Sequence, residues 1–327
     1  MKKYISILIC LVLIIMISLL SVHNEKKDED KSLTKVKVAE VTHSVFYAPW
    51  YVAIENNYFK DEGLDIELIL TPGADKVAAA VLSNDVQIGF AGLESTIYVY
   101  NGGEQDYLVN FAGLTKRDGQ FILSRNSIDS FDWNDLKNKE VLVGRKGGMP
   151  ALNFLNALKN AGININDVNL NYSVEFAALS GSFIGGMGDY VNLFEPTATK
   201  VEKENFGHVV ASIGAMSGEM PYTTFYTRKS FLNNNKELIN KFRNALNKGL
   251  EFVSNNEPEV VAEVIHNQFK DESINNLTTM IKRYKENDCW YEDTNIKEVA
   301  YQNLEQVMLD NNLLEKKIDF NVLVNND

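Results

Sequence analysis

The chain has 327 residues, 45% of them hydrophobic and 23% charged, an ordinary globular balance with room for two domains. Its formal net charge of −12 argues against a nucleic-acid surface, which is basic. Cys10 lies in an apolar run, which leaves Cys289 without a disulfide partner, and none of the four histidines is spaced from another as a metal pair. Lys2 and Lys3 precede an apolar stretch from Tyr4 to Val22, and a charged spacer from Glu25 to Lys31 follows. That pattern reads as an export signal, near the minimum length for a membrane span. Cleavage after Ser21 is disfavoured by Leu19, so the segment is either cleaved or kept as an anchor. Either outcome puts the body outside the cytoplasm, at the outer face of the cytoplasmic membrane or released (secreted or periplasmic).

The body opens with alternation at Val36, Val38 and Glu40, a strand. A polar and aromatic loop, Thr42 to Pro49, leads to a helix over about Trp50 to Asn57, with Pro49 suited to its first turn. Gly63 breaks the chain, and Leu64, Ile66, Leu68 and Leu70 alternate with polar residues as a second strand. This is a βαβ unit, which implies a parallel sheet with ligand loops at the strand ends. His43 in the first loop is either a ligand contact or a solvated histidine.

Further along, Lys76 to Ser83 reads as a helix, Val86 to Phe90 as a strand, and Ala91 to Thr96 as the entry to another helix. Gly92 allows close approach of the backbone. Glu94 and Ser95 either face a ligand or simply sit in a first helical turn, where the helix dipole favours a carboxylate. Leu108 to Gly113 is a strand, Lys116 to Gly119 a turn, and Gln120 to Leu123 a strand leaving the first lobe. Trp133 to Lys139 reads as a short helix. Val141 to Gly144, the glycine loop Arg145 to Pro150 and a helix over Ala151 to Asn160 form a second α/β unit. The loop has neither a Walker spacing nor a dinucleotide fingerprint, so Gly147 and Gly148 either meet polar ligand atoms or form a tight turn. Strands follow at Asn169 to Tyr172, Tyr190 to Phe194 and His208 to Ser212, with a helix over Ala177 to Met187. Pro221 to Tyr226 reads as a strand, and Asn235 to Leu314 as helical throughout.

The segment AIENNYFKDEGLDIEL resembles the helix–turn–strand signature of solute-binding proteins of ABC importers, in the group of thiamine-pyrimidine, alkanesulfonate and nitrate binders. DVQIGFAGLEST and LFEPTA are similar to that family's ligand-loop segments, and the resemblance spans nearly all of residues 35–315. It implies an α/β, two-lobed type II periplasmic-binding fold, each lobe a mostly parallel sheet flanked by helices, joined by two crossing strands. The expected divisions are 1–34 for signal and spacer, 35–119 and 223–327 for the first lobe, and 120–222 for the second. Relatives often carry a lipidated cysteine after the signal, but Leu19 to His23 holds none. The resemblance implies a monomer serving an ABC permease and its ATPase, with no cofactor, no metal and no catalytic residues.

On that fold the candidate ligand residues are Ser44, Tyr47, Trp50, Gly92, Glu94, Ser95, Gly147, Gly148, Phe194, Glu195 and Tyr222. Glu195 is expected to face Glu94 across the cleft. Two carboxylates among flat apolar faces suit a nitrogen heterocycle bearing amino groups, such as a pyrimidine. Core packing is the other reading of the aromatics, Trp50 above all. An alkanesulfonate or nitrate binder is the alternative within the fold. A pyrimidine-synthase-like enzyme, whose cysteine-rich motif is absent, and a membrane-tethered sensor are the alternatives outside it.

Overall fold

The computed structural model describes residues 33–327, so the export segment and its spacer lie outside the described residues. Thr34–Asp327 is one compact unit holding two five-stranded sheets. The first has the order β2-β1-β3-β10-β4, from β1 (Thr34–Glu40), β2 (Leu64–Leu70), β3 (Ile88–Gly92), β4 (Leu108–Thr115) and β10 (Thr223–Arg228). The second has the order β7-β6-β8-β5-β9, from β5 (Phe121–Ser124), β6 (Glu140–Leu142), β7 (Asn169–Asn171), β8 (Tyr190–Leu193) and β9 (His208–Ser212). Residues 141–212 therefore share no sheet with residues 36–112.

The opening βαβ unit forms as its pattern requires. Val36 and Val38 are fully buried, and β1 pairs with β2 in parallel with Val36 opposite Ile66. The helix Ala48–Glu55 takes Pro49 in its first turn and ends before Asn57, which sits at a left-handed φ of 59°. It packs against the helix Lys236–Asn255, whose buried Ile239, Phe242, Leu246, Leu250 and Val253 recur at helical spacing. A Cβ at Gly249 would meet the Pro49 carbonyl at 2.2 Å, so the closeness of these two helices requires glycine there.

The first lobe is completed only by β10, which enters antiparallel between β3 and β4 and stacks Phe225 on Phe90 with ring centroids 4.1 Å apart. In the second lobe β6 pairs in parallel with β7 and β8, whereas β5 runs antiparallel to β8 and β9.

Two sequence expectations are corrected. Lys116 to Gly119 reads as a turn, but not one that faces solvent: Lys116 is 3% exposed and Asp118, with Gln120 after it, is wholly buried. These residues form the first crossing between lobes and lie against the second: a Cβ at Gly214 would meet the Asp118 carbonyl at 2.1 Å. The polar composition that suggests a turn serves a buried interface instead.

The C-terminal region is also not helical throughout. Between the helices Ile274–Glu286 and Glu298–Asp310 the chain runs extended along β4. There Cys289 accepts from the Lys116 amide (2.8 Å), Tyr291 donates to Leu114 (3.1 Å) and Thr294 accepts from Gly113 (2.8 Å). Those bonds cover the free edge of the first sheet, which would otherwise expose unpaired backbone. Cys289 is a buried free thiol there.

Candidate functional site

The loops at the strand ends of the two sheets meet in a buried polar and aromatic cluster. Glu94 opens the helix Glu94–Asn101 directly after β3, and its side chain folds back over Gly92, where a Cβ would meet Oε2 at 2.0 Å. A side chain at position 92 would therefore displace the Glu94 carboxylate from this place. Glu94 Oε1 accepts from the Met149 amide at 3.1 Å, the first residue of the second-lobe helix Met149–Asn160. Oε2 is buried and has no partner among the described residues. Burial pushes the Glu94 pKa up to about 7, against the Met149 hydrogen bond and the charge of Arg145, which lower it. Ser95 beside it donates to the Gly92 carbonyl at 2.7 Å.

Rings close around this carboxylate. Tyr47 packs against Phe90, its hydroxyl next to Thr223, and burial together with the charges of Glu40 and Glu94 holds it neutral. Tyr222 lies with its centroid 5.6 Å from Phe46 and 6.1 Å from Phe194, and Phe46 lies 5.4 Å from Phe194. The Tyr222 hydroxyl stands beside Asp118, near enough for each to perturb the other, but closes no direct hydrogen bond. Gly119 admits Phe46 to this wall, since a Cβ there would meet the ring at 2.4 Å.

Glu195 departs from its expected place. Its Oε1 accepts from Arg283 (2.7 Å) and from the Thr199 hydroxyl (2.9 Å), and its Oε2 accepts from the Thr199 amide (2.8 Å). Both oxygens are therefore taken by Arg283 and by the helix Thr197–Lys203, where an acid at the N-terminal end is favourable. Its backbone bridges the lobes as well, since Ser44 Oγ donates to its carbonyl at 2.6 Å and its amide donates to the Tyr284 hydroxyl at 2.9 Å. Ser44 thus belongs to this bridge.

Trp50 is likewise corrected: it packs in the first-lobe core among Phe59, Phe225 and Phe242, with Nε1 unpartnered. The glycine loop is tied down, with the Gly147 carbonyl accepting from Tyr98 Oη at 2.8 Å and the Gly148 amide donating to Arg145 at 3.2 Å. Gly147 has a φ of +79°, a conformation that favours glycine. His43 is neither free nor in the cluster. It sits between Glu40 (2.8 Å), Tyr51 (3.0 Å) and the Gln268 carbonyl (3.0 Å), and although burial opposes its charge, Glu40 raises its pKa overall.

Of the sequence candidates, Tyr47, Gly92, Glu94, Ser95, Phe194 and Tyr222 come together, while Glu195, Ser44, Trp50 and the glycine loop serve bridges or the core. Asp118, Gln120, Asn192 and Phe46 escape sequence reading. Asp118 resembles a turn residue and Gln120 the start of a strand, and the alternation of β8 does not tell which end of the strand meets the other lobe.

Two α/β lobes joined by two crossings, with polar and aromatic groups converging between them, define the fold of extracytoplasmic solute-binding proteins. A family profile described as "NMT1/THI5 like" matches residues 45–260, and the chain belongs to this family. It is 41% identical over 300 residues, 91% of this chain and 90% of the relative, to "Putative binding protein YtlA" of Bacillus subtilis (strain 168). Among solved structures it resembles the alkanesulfonate-binding protein SsuA of Xanthomonas axonopodis pv. citri bound to MOPS, at TM-score 0.72 and 12% identity, covering 90% of this chain and 99% of that one. The aliphatic sulphonate binding protein SsuA of Escherichia coli aligns at TM-score 0.70 and 16% identity, over 89% and 97% of the two chains. The nitrate-binding protein NrtA of Synechocystis PCC 6803 aligns at TM-score 0.62 and 16% identity, over 76% and 70%.

Proposed function

We propose that the protein captures a small organic solute bearing an amino group, such as a pyrimidine-like nitrogen heterocycle, between its lobes. It would deliver that solute to an ABC permease and its ATPase at the outer face of the cytoplasmic membrane. The observation that carries the ligand class is Glu94 Oε2, a buried carboxylate oxygen with no partner. Buried polar atoms are rarely left unpaired, and a solute N–H is the chemistry that satisfies an acceptor.

The surroundings agree. Phe46, Phe194 and Tyr222 offer flat faces for a planar ring. The nearby cations are committed elsewhere, Arg145 to Asp75 (3.3 Å), Arg117 to Asp288 (3.5 Å) and Arg283 to Glu195 (2.7 Å). An oxyanion entering such a site would meet the Glu94 carboxylate, with Arg145, the cation near enough to lower its pKa, already paired to Asp75. The sulfonate and nitrate binders share the fold, and the fold does not name the ligand.

In this reading the lobes, residues 35–119 with 223–327 and residues 120–222, turn about their two crossings. The solute favours the closed arrangement because only there do both lobes contact it. Mass spectrometry of small molecules that co-purify with natively expressed protein identifies the solute, and thermal shifts with cytosine, putrescine, ethanesulfonate and nitrate rank the classes. An amine-bearing solute should stabilise the protein. Stabilisation by ethanesulfonate or nitrate, tightened by Glu94→Gln, would overturn the reading.

A further inference from the structure

The buried cluster contains a second set of unsatisfied groups that Glu94 does not account for. Asp118, Gln120 and Asn192 are all wholly buried. Asp118 Oδ1 accepts from the Gln120 amide at 2.6 Å, which fixes the carboxylate, while Oδ2 has no partner. Gln120 Nε2 donates to the Asn192 carbonyl at 3.3 Å, which leaves Gln120 Oε1 without a donor. Both side-chain amide atoms of Asn192 are unpartnered as well. Together with the Tyr222 hydroxyl, which stands beside Asp118, five polar atoms on four adjoining residues lack a hydrogen bond among the described residues.

A buried group left unsatisfied costs roughly 1–3 kcal/mol, so a chain that carries several in one place has them for a partner. The chain's own cations do not supply it. Lys116, two positions earlier, is turned to Asp288 (2.9 Å) and Glu292 (2.6 Å), and the adjacent Arg117 to Asp288 (3.5 Å). Gln120 Oε1 is an acceptor, and Asp118 Oδ2, whose pKa burial pushes well up, is one in its ionised form, which a donating partner favours, so what meets the pair donates, while Asn192 serves a neighbouring acceptor or donor.

We propose that Asp118, Gln120 and Asn192 form a second recognition subsite that takes a second N–H-bearing group of the solute, the first being held by Glu94. This rests on the amine reading of the site given above. The ligand class narrows to molecules with two separated N–H groups, a diamino heterocycle or an aliphatic diamine. Because Asp118 lies on the first crossing, this subsite reads the solute from the segment about which the lobes turn.

The test uses two probe pairs that differ by one amino group, 2,4-diaminopyrimidine against 4-aminopyrimidine and putrescine against n-butylamine, titrated calorimetrically into the exported form of the protein. Wild type should bind the diamino member of one pair about tenfold more tightly, the worth of one such hydrogen bond. Which pair shows the preference tells a planar from an aliphatic solute. Asp118→Asn, which keeps the acceptor for the Gln120 amide, and the near-isosteric Gln120→Met should each bring that ratio close to one. Glu94→Gln should weaken both members and leave the ratio standing. A wild-type ratio near one in both pairs, or a ratio that survives in both Asp118→Asn and Gln120→Met, overturns the second subsite alone. Failure of all four probes to bind wild type counts against the amine reading itself, and the second subsite falls with it.

Discussion

Glu94 and Glu195 occupy matching positions, each just past a central strand of its sheet and each reaching toward the other lobe, but their surroundings are opposite. Glu195 has both oxygens in use, in three hydrogen bonds from Arg283 and Thr199. Glu94 has one oxygen on the Met149 amide and one on nothing. A saturated buried carboxylate fastens the protein to itself, whereas a half-satisfied one is costly until something else arrives. Within one cleft, the same residue type therefore serves as a clasp on one side and, in the function proposed above, as a receptor on the other.

Removing the clasp should have the largest effect. Arg283→Met leaves Glu195 buried and short of its charged partner, which should cost about 3 kcal/mol of stability. Urea unfolding measures this, and an unchanged midpoint would mean that Glu195 is no clasp. Glu94→Gln should behave in the opposite way. Binding of an amine-bearing solute should weaken roughly ten- to a hundredfold, the loss of one charge-assisted bond of about 1.5–3 kcal/mol.

Stability should not fall in Glu94→Gln, because the folded-state pKa of Glu94 is raised. Wild type holds the Glu94 proton more tightly when folded, so it loses stability as pH rises from about 4.5 to about 7. That loss approaches roughly 3 kcal/mol at about 1.4 kcal/mol per pKa unit. Melting temperatures at pH 5 and pH 8 should show the variant flatter than wild type.

The same proton sets the pH dependence of capture. Binding that requires the ionised Glu94 should weaken by about tenfold for each pH unit below about 7. Titrations at pH 6 and pH 7.5 with a solute whose own charge is constant over that range should show the slope, and Glu94→Gln should abolish it. The smallest effect belongs to Thr199→Val, which takes one hydrogen bond from Glu195 and one from Arg283. It should cost about 1 kcal/mol of stability and leave affinity unaltered.

The contrast between the two glutamates marks how far the sequence could be read. Alternation and helical spacing place β1, β2 and the helix between them within about two residues, because local periodicity decides those elements. Glu94 is legible as a carboxylate at a strand end facing the other lobe. What the chain does not print is the partner of Glu195, since Arg283 lies 88 positions away on a helix whose docking is a tertiary matter. Trp50 misleads for a similar reason: its helical position is correct, but which face of that helix meets the sheet depends on Phe225 and Phe242. Asp118 is hidden by composition, because Lys116 to Gly119 has the residues of a turn and the burial of an interface, and Gln120 reads only as the start of a strand.

The place of β10 in the first sheet governs the order in which the molecule can be made. Until residues 223–228 arrive, β3 and β4 have no strand between them and both present open edges. The second sheet, by contrast, is built entirely from residues 121–212 and has all its strands as soon as that stretch emerges. A chain threaded outward from its N-terminus would thus finish its second lobe first. The half that begins the sequence would be the last to acquire a closed core, held open as a nascent sheet until the return strand slots in.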